Sequence, residues 1–173
     1  MTSSIYCVGK VNGGRKEMIV AENSNTPAKR VNIVSIKMVK QGSILYEGRK
    51  ITTPSQAAEI ARQFLEESDR EKLIAICLDT KNQPVSISVI SIGSLNSSIV
   101  HPREVYKIAL LSNAASIILC HNHPSGDTTA SKEDISITKR LKECGELIGI
   151  SLIDHIIITS EGKYCSLKEK GIL

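Results

Sequence analysis

The stretch 116–134 contains two histidines and an aspartate whose types and spacing suit a metal ion. His121 and His123 end the apolar run 117–120, which predicts a buried strand whose alternation would project both imidazoles to the same side. Asp134 falls in the first turn of a predicted helix that follows soon after. Two nitrogens and one oxygen leave a tetrahedral ion with a fourth position for water, which is the arrangement of a catalytic zinc site.

The same residues also have structural interpretations, which the sequence leaves open. A His-x-His pair alone is a weak metal signal. Ser131 is the expected N-cap of the helix, and Asp134 is its expected capping-box partner, favoured also by the helix dipole. The spacing His-x-His, seven residues, then Ser-x-x-Asp, with Pro124 and Gly126 in between, favours metal binding alongside these roles.

The pattern His121-x-His123-x7-Ser131-x-x-Asp134 resembles the JAMM signature of JAB/MPN-domain metalloproteins. The longer string HNHPSGDTTASKEDISIT resembles the RadC branch of that superfamily, and the resemblance extends from about residue 31 to residue 173. It implies an α/β fold, in which a mixed β-sheet with flanking helices forms the three-layer JAB/MPN architecture, similar to that of cytidine deaminases. RadC-like proteins are traditionally linked to DNA repair and recombination.

The resemblance also implies a reaction. Zinc bound by the two histidines and Asp134 would lower the pKa of a bound water toward neutrality, and a free carboxylate would accept its proton. JAB/MPN proteins carry a glutamate before an apolar strand upstream of the histidine pair, which corresponds here to Glu71, with Glu104 as the alternative. Ser131 is then expected to donate a hydrogen bond to the developing oxyanion of an amide or isopeptide bond.

The elements that must position these residues alternate between helix and strand. Val31–Val39 predicts a strand rich in β-branched residues, and Thr53-Pro54 predicts a helix start. Two further strands are expected over Leu73–Leu78 and Pro84–Ile92, and a helix is expected to begin at His101-Pro102, with His101 as an N-cap or surface residue. A helix between strands is a crossover connection, so helices should cover the faces of the sheet.

After Asp134 the predicted helix turns Ile137 and Leu141 inward and ends at Gly145. The next segment, 150–159, predicts a strand interrupted by Asp154 and His155, one of which should point toward the metal-binding region. A hydrogen-bonded Asp–His pair at a strand kink and a carboxylate supporting a metal-bound histidine are both open. A turn and a short capped helix are expected to close the chain.

The N-terminal region is the least defined part of the sequence. Asn12-Gly13-Gly14 predicts a hairpin turn between short apolar segments, and a loosely ordered tail is the alternative over 1–30. The domain is therefore expected over 31–173.

Length and composition restrict the classes of protein to which this chain can belong. The chain has 173 residues, 41% of them hydrophobic, which suits one domain with a sizeable core. It contains no apolar run near the roughly 18 residues of a membrane span, and the start lacks an apolar segment after a basic patch, so we expect no secretion signal. Five scattered cysteines without a Cys-x-x-Cys pair predict free thiols in a reducing cytoplasm.

These observations leave three classes of function: a zinc hydrolase acting on an amide bond of a protein or peptide, a DNA-repair accessory protein, and a binding module with a silent site. The net charge of +4 is too mild to argue for DNA, and one Phe with no Trp offers few stacking surfaces for bases. The contiguous HNH string is coincidental, since HNH nucleases spread these residues over a ββα unit. Zinc deaminases add a P-C-x-x-C motif that this sequence lacks.

Overall fold

In the computed structural model, which describes residues 30–65, 68–93 and 100–173, helices and strands follow the apolar patterns of the chain. The helices in these ranges are α1 (Pro54–Leu65), α2 (Pro102–Leu111) and α3 (Lys132–Ile148). The strands are β1 (Lys72–Leu78), β2 (Pro84–Ile92), β3 (Ser116–His123), β4 (Ser151–Thr159) and β5 (Tyr164–Ser166).

The strands form one five-stranded sheet in the order β2-β1-β3-β4-β5. β3 and β4 are parallel, and the other neighbouring strands are antiparallel. The parallel pair needs a crossover, which α3 provides. The sheet is therefore mixed and flanked by helices, which confirms the α/β class predicted from the sequence.

Alternation along the central strands divides the core into two layers. The odd-numbered residues of β1 and β3, such as Leu73 and Leu119, pack with α2 and α3. The even-numbered residues, such as Ile74 and Cys120, pack with α1 on the opposite face. The face covered by α2 and α3 is the one toward which the odd-numbered His121 and His123 must project.

A β-bulge in β4 reverses this alternation. Ile117 of β3 pairs with Leu152, whereas Ile118 pairs with Asp154, so Ile153 is an extra residue in β4. Leu152 packs in the layer of α2 and α3, but Ile156 packs against α1, although both positions are even-numbered. Such an insertion changes which side chains face the core, and here it turns His155 toward α3.

The predicted strand over 31–39 and the predicted end of α3 are both wrong. Residues 31–39 have no regular secondary structure, and Val31 is 87% and Ile33 is 85% exposed. No described strand pairs with this segment, so its β-propensity finds no partner for its backbone groups. α3 does not end at Gly145 but at Ile148, where Gly149 takes a left-handed conformation (φ 78°) and caps the helix.

Other expectations concern the ends of the chain and its cysteines. Residues 168–171 form turns rather than the expected closing helix.

Four cysteines in the described ranges, Cys77, Cys120, Cys144 and Cys165, are free thiols. Within these ranges, no helix is long and apolar enough to cross a membrane. The chain divides into the units 1–37 and 38–173, and the hairpin predicted near residues 12–14 lies outside the described residues.

Gly145 lies inside α3 because the helix passes close to its neighbours. A Cβ at this position would lie 2.4 Å from the backbone oxygen of Ile150 and 2.4 Å from the hydroxyl of Tyr106. That hydroxyl donates a hydrogen bond of 2.6 Å to the Leu141 carbonyl, so Tyr106 cannot move away without losing this bond, and the Ile150 neighbour is a backbone atom. The glycine therefore serves close packing between α3, α2 and the start of β4.

We expect Gly145→Ala to lower the free energy of unfolding by about 2 kcal/mol, since the overpacking exceeds the gain in helix propensity. Urea denaturation followed by circular dichroism measures this change. Glu146→Ala, at the next and exposed position of the same helix, is the control and should change stability by less than about 0.5 kcal/mol. Equal stabilities of the two variants would contradict the close approach.

Candidate metal centre

β3 presents the two histidines at its carboxyl end. The strand continues through His123, so both imidazoles lie on the side of α3, as alternation predicts. His121 is fully buried and His123 is partly exposed. Their Nε2 atoms are 2.9 Å apart. The pair thus has a buried inner member and an outer member that solvent reaches.

α3 supplies the third side chain through its first turn. Ser131 is the N-cap, and its hydroxyl accepts a hydrogen bond of 3.0 Å from the Asp134 backbone N–H. In return, the Asp134 carboxylate accepts from the Ser131 backbone N–H at 2.8 Å and from its hydroxyl at 2.6 Å. This capping box holds the Asp134 carboxylate, which is buried, toward the histidines.

The three side chains could hold one metal ion between them. The Asp134 carboxylate oxygens lie 3.4 Å from His121 Nε2 and 3.6 Å from His123 Nε2. Oδ1 is the oxygen near His121 and Oδ2 the one near His123, and one ligand atom from each of the three residues lies within 4.8 Å of the others. Ligands at about 2.0–2.1 Å from a tetrahedral ion are about 3.3–3.4 Å apart, so binding zinc would draw the three side chains closer together. Two imidazoles and one carboxylate are also a donor set that zinc accepts readily.

A chain of hydrogen bonds determines which nitrogen of His121 faces this position. The Thr138 hydroxyl donates to the Asp134 backbone carbonyl at 2.5 Å, and its oxygen lies 2.6 Å from His155 Nδ1. Because the hydroxyl proton is engaged, His155 Nδ1 must donate to Thr138, so a neutral His155 has its lone pair on Nε2. That Nε2 lies 2.8 Å from His121 Nδ1, which therefore donates. His121 Nε2 is left with a lone pair directed at the metal position.

His123 is oriented by a second backbone carbonyl. Its Nδ1 lies 2.7 Å from the Asp127 backbone oxygen, which can only accept, so the Nδ1–H donates and the Nε2 carries the lone pair. The loop 124–130 thus has a role beyond ending the strand. Both histidines present the nitrogen that a metal requires. The partner of His123 is a backbone carbonyl, which commonly orients metal ligands, whereas His121 is oriented by the imidazole of His155.

The electrostatics of the site favour a cation. Burial and the nearby His155 lower the pKa of His121 well below its usual value. The Asp134 carboxylate, which would accept a hydrogen bond from the protonated imidazole, raises the pKa of His123 against the opposing effect of burial. Burial raises the pKa of Asp134, but the attraction of its carboxylate to the protonated forms of His123 and His121 and the hydrogen bonds from Ser131 outweigh it, so the net shift is downward. Asp134 is therefore an anion facing two nitrogen lone pairs.

The two candidate general bases lie in different surroundings. Glu71 is half-buried, immediately before β1, and its charge contributes to the raised pKa of His123. Glu104 is in the first turn of α2, where its carboxylate is exposed and pairs with Lys107 and, at 3.5 Å, with Arg103. Leu73 pairs with His121, so Glu71, two residues before it, lies near the histidine end of β3. His101 is the N-cap of α2, as predicted, and its Nδ1 accepts from the Arg103 backbone N–H.

Sequence reasoning left the Asp–His pair of β4 open and missed Thr138. The bulge separates the roles of the pair: His155 reaches His121, whereas Asp154 accepts from the Ser166 hydroxyl at 2.6 Å and from the Lys168 backbone N–H at 3.1 Å. Asp154 thus anchors the segment that includes β5. Thr138 lies one helical turn after Asp134, and this i, i+4 spacing on a buried face was the available signal.

Comparison with known proteins agrees with this arrangement of residues. A family model described as the RadC-like JAB domain matches residues 51–172. The chain belongs to the RadC family. A UPF0758 protein of Clostridium acetobutylicum is 58% identical over 128 residues, which cover 74% of this chain and 56% of the relative. One from Clostridium tetani is 55% identical over 127 residues, covering 73% of this chain and 55% of the relative.

The RadC-family match covers the described helices and strands and all three candidate ligands. A longer alignment, with a UPF0758 protein of Clostridium beijerinckii, is 46% identical over 160 residues and covers 82% of this chain and 69% of that relative. The chain spans about half the length of the other curated relatives it matches. The names of these relatives identify the family without stating an activity.

The orientation of His121 predicts an effect of His155 on metal affinity. Replacing His155 with phenylalanine removes the acceptor for His121 Nδ1–H while filling the buried space, and should weaken zinc binding about 10- to 100-fold. Competition with a chromogenic chelator measures the affinity. Ser166→Ala, which removes a buried side-chain hydrogen bond to Asp154 instead, should leave zinc affinity unchanged. Equal affinity of His155→Phe and the wild type would contradict the relay.

A second prediction concerns acid stability in the presence of a chelator. Burial lowers the pKa of His155 from 6.5 to about 4. Between these pH values the unfolded chain binds a proton that the folded chain does not, so stability falls as the pH decreases. From pH 7 to pH 5, the wild type should lose on the order of 2 kcal/mol more than His155→Gln. Urea denaturation at both pH values tests this prediction. The pKa of His123 is shifted upward instead, and His123 is present in both proteins, so the comparison isolates the effect of residue 155.

Proposed function

We propose that this protein is a zinc-dependent hydrolase that cleaves an amide bond in a protein or peptide. The observation that carries the proposal is the convergence of two imidazole Nε2 lone pairs and one carboxylate. The orientation of each imidazole is determined by a backbone carbonyl, directly for His123 and through Thr138 and His155 for His121, and a carbonyl can only accept hydrogen bonds. With two ligands from β3 and one from the start of α3, these residues would supply three of the four ligands of a tetrahedral zinc, as catalytic rather than structural sites do. His123 is the partly exposed member of the set.

Bound zinc would act as a Lewis acid and lower the pKa of water at the site. The Glu71 carboxylate, whose charge acts on His123, would accept the proton of the attacking water and then protonate the leaving nitrogen. His121 and His123 would stay neutral, because their Nδ1 protons are retained in the bonds to His155 and Asp127.

Ser131 is proposed as the donor to the developing oxyanion. Its hydroxyl and its backbone N–H both donate to the same Asp134 oxygen. The hydroxyl can therefore rotate to the substrate oxygen while the N–H continues to hold the carboxylate in place. The role in DNA repair that the RadC resemblance implies stays a prediction, and salt-dependent binding to duplex DNA would test it.

The proposal is tested by metal content and turnover measured on the same proteins. Chelated and zinc-reconstituted protein should release new amino termini from a labelled unfolded protein only when zinc is present. His121→Ala and Asp134→Ala should lose the metal by elemental analysis. Glu71→Gln should keep zinc and lose about 10²- to 10⁴-fold in turnover, because the proton acceptor is removed.

Glu104→Gln is the matched control, since it changes a glutamate in the same way outside the ligand set and should retain both zinc and turnover. Loss of turnover in Glu104→Gln with none in Glu71→Gln would reverse the assignment of the base. Zinc-loaded protein that cleaves neither peptide nor isopeptide bonds would contradict the proposed reaction.

A further inference from the structure

Asn122 lies between the two histidines, and its side chain makes contacts that metal binding does not use. It is 4% exposed, and alternation directs it away from the histidine face of β3. The described pairing between β1 and β3 ends where Leu73 meets His121. Beyond this point the backbone of the segment leading into β1 needs other partners.

The side-chain amide of Asn122 supplies hydrogen-bond partners for this backbone segment. Its Oδ1 accepts from the Lys72 backbone N–H at 2.7 Å, and its Nδ2 donates to the Arg70 carbonyl at 3.0 Å and to the Ser68 carbonyl at 3.4 Å. A carboxamide has the same donor and acceptor as a peptide group, so the side chain replaces the missing ladder bonds. Its bonds to Lys72 and Arg70 lie on either side of Glu71.

Glu71 is also held through its own backbone. Its carbonyl accepts from the Gly93 N–H at 2.8 Å, which ties the residue to the end of β2. With residues 70 and 72 bound by Asn122, the backbone of Glu71 is attached on three sides. Leu73 pairs with His121, so Glu71, two residues earlier, lies at the end of β1 next to the histidines of β3. Such attachment restricts the positions that the carboxylate can reach.

We propose that Asn122 is a positioning residue that holds Glu71 beside the metal ligands. One buried amide couples the ligand-bearing strand β3 directly to the segment carrying the base, so the base and both histidines move as a unit. The structural part of this inference depends only on the described hydrogen bonds. Its catalytic consequence rests on the proposed hydrolase function.

The structural part is tested by amide hydrogen exchange on the full chain. Asn122→Ala should increase exchange at the Lys72 and Gly93 amides at least tenfold, while Leu119 in the middle of β3 stays protected. Asn122→Asp keeps the acceptor for Lys72 but loses both donated bonds, so Lys72 protection should fall between the wild type and Asn122→Ala. Ser166→Ala, a buried polar change at the other edge of the sheet, should leave Lys72 and Gly93 unaffected. Unchanged exchange at Lys72 in Asn122→Ala would overturn the proposal.

The catalytic part is tested by a double-mutant cycle on zinc-loaded protein. Asn122→Ala should keep full zinc content and lower kcat about 10²-fold with little change in KM, since a shift of about 1 Å in a catalytic group has an effect of this size. Asn122→Ala combined with Glu71→Gln should be no slower than Glu71→Gln alone, because Asn122 then has no base to position. Effects that multiply would overturn the positioning role.

Hydrogen exchange and the double-mutant cycle distinguish a failure of the Asn122 proposal from a failure of the proposed function. A wild-type protein that hydrolyses no amide bond would contradict the hydrolase, and the exchange at Lys72 and Gly93 would still decide whether Asn122 holds the segment. A protein that hydrolyses, with normal kcat in Asn122→Ala, would contradict the positioning role and leave the hydrolase intact.

Discussion

Two imidazole nitrogens facing each other across 2.9 Å are the constraint on which the site depends. If both His121 and His123 are neutral, their lone pairs point into the same space, and this arrangement is stable only with a cation between them. A proton can meet the requirement, and the raised pKa of His123 is consistent with that. A divalent ion stabilises the two lone pairs better than a proton does, since it also neutralises the Asp134 carboxylate. Binding of the ion displaces the proton.

The fold maintains this arrangement through groups whose hydrogen-bonding roles cannot change. The Asp134 and Asp127 backbone carbonyls only accept, so each histidine is oriented by backbone rather than by a titratable side chain. Asp134 therefore contributes twice: its carboxylate faces the histidines, and its carbonyl begins the chain through Thr138 and His155 that orients one of them. Because α3 carries Asp134 and Thr138 one turn apart, a single rigid helix controls both contributions.

The sequence predicted the parts of this site that depend on local periodicity. Alternation in β3 and the capping box of α3 are short-range patterns, and they were sufficient to bring His121, His123 and Asp134 together. The choice between Asp154 and His155 was not accessible in the same way, because it depends on an extra residue in β4 that no composition signal marks. The strand predicted over 31–39 was wrong for the opposite reason. The β-propensity of this segment is strong, but a strand forms only where it can pair with another strand.

The position of α3's end shows how tertiary packing overrides a local stop signal. Gly145 has the residue type of a C-cap, yet the helix continues because the missing side chain is needed for the approach of Tyr106 and the Ile150 carbonyl. The same helix must reach from the metal position at its N-terminus to the start of β4, which carries His155 back to the site. A helix that ended at Gly145 would add three residues of irregular connection before β4 and would loosen the placement of the bulge. The close contact at one end of α3 thus helps to determine the histidine orientation at the other.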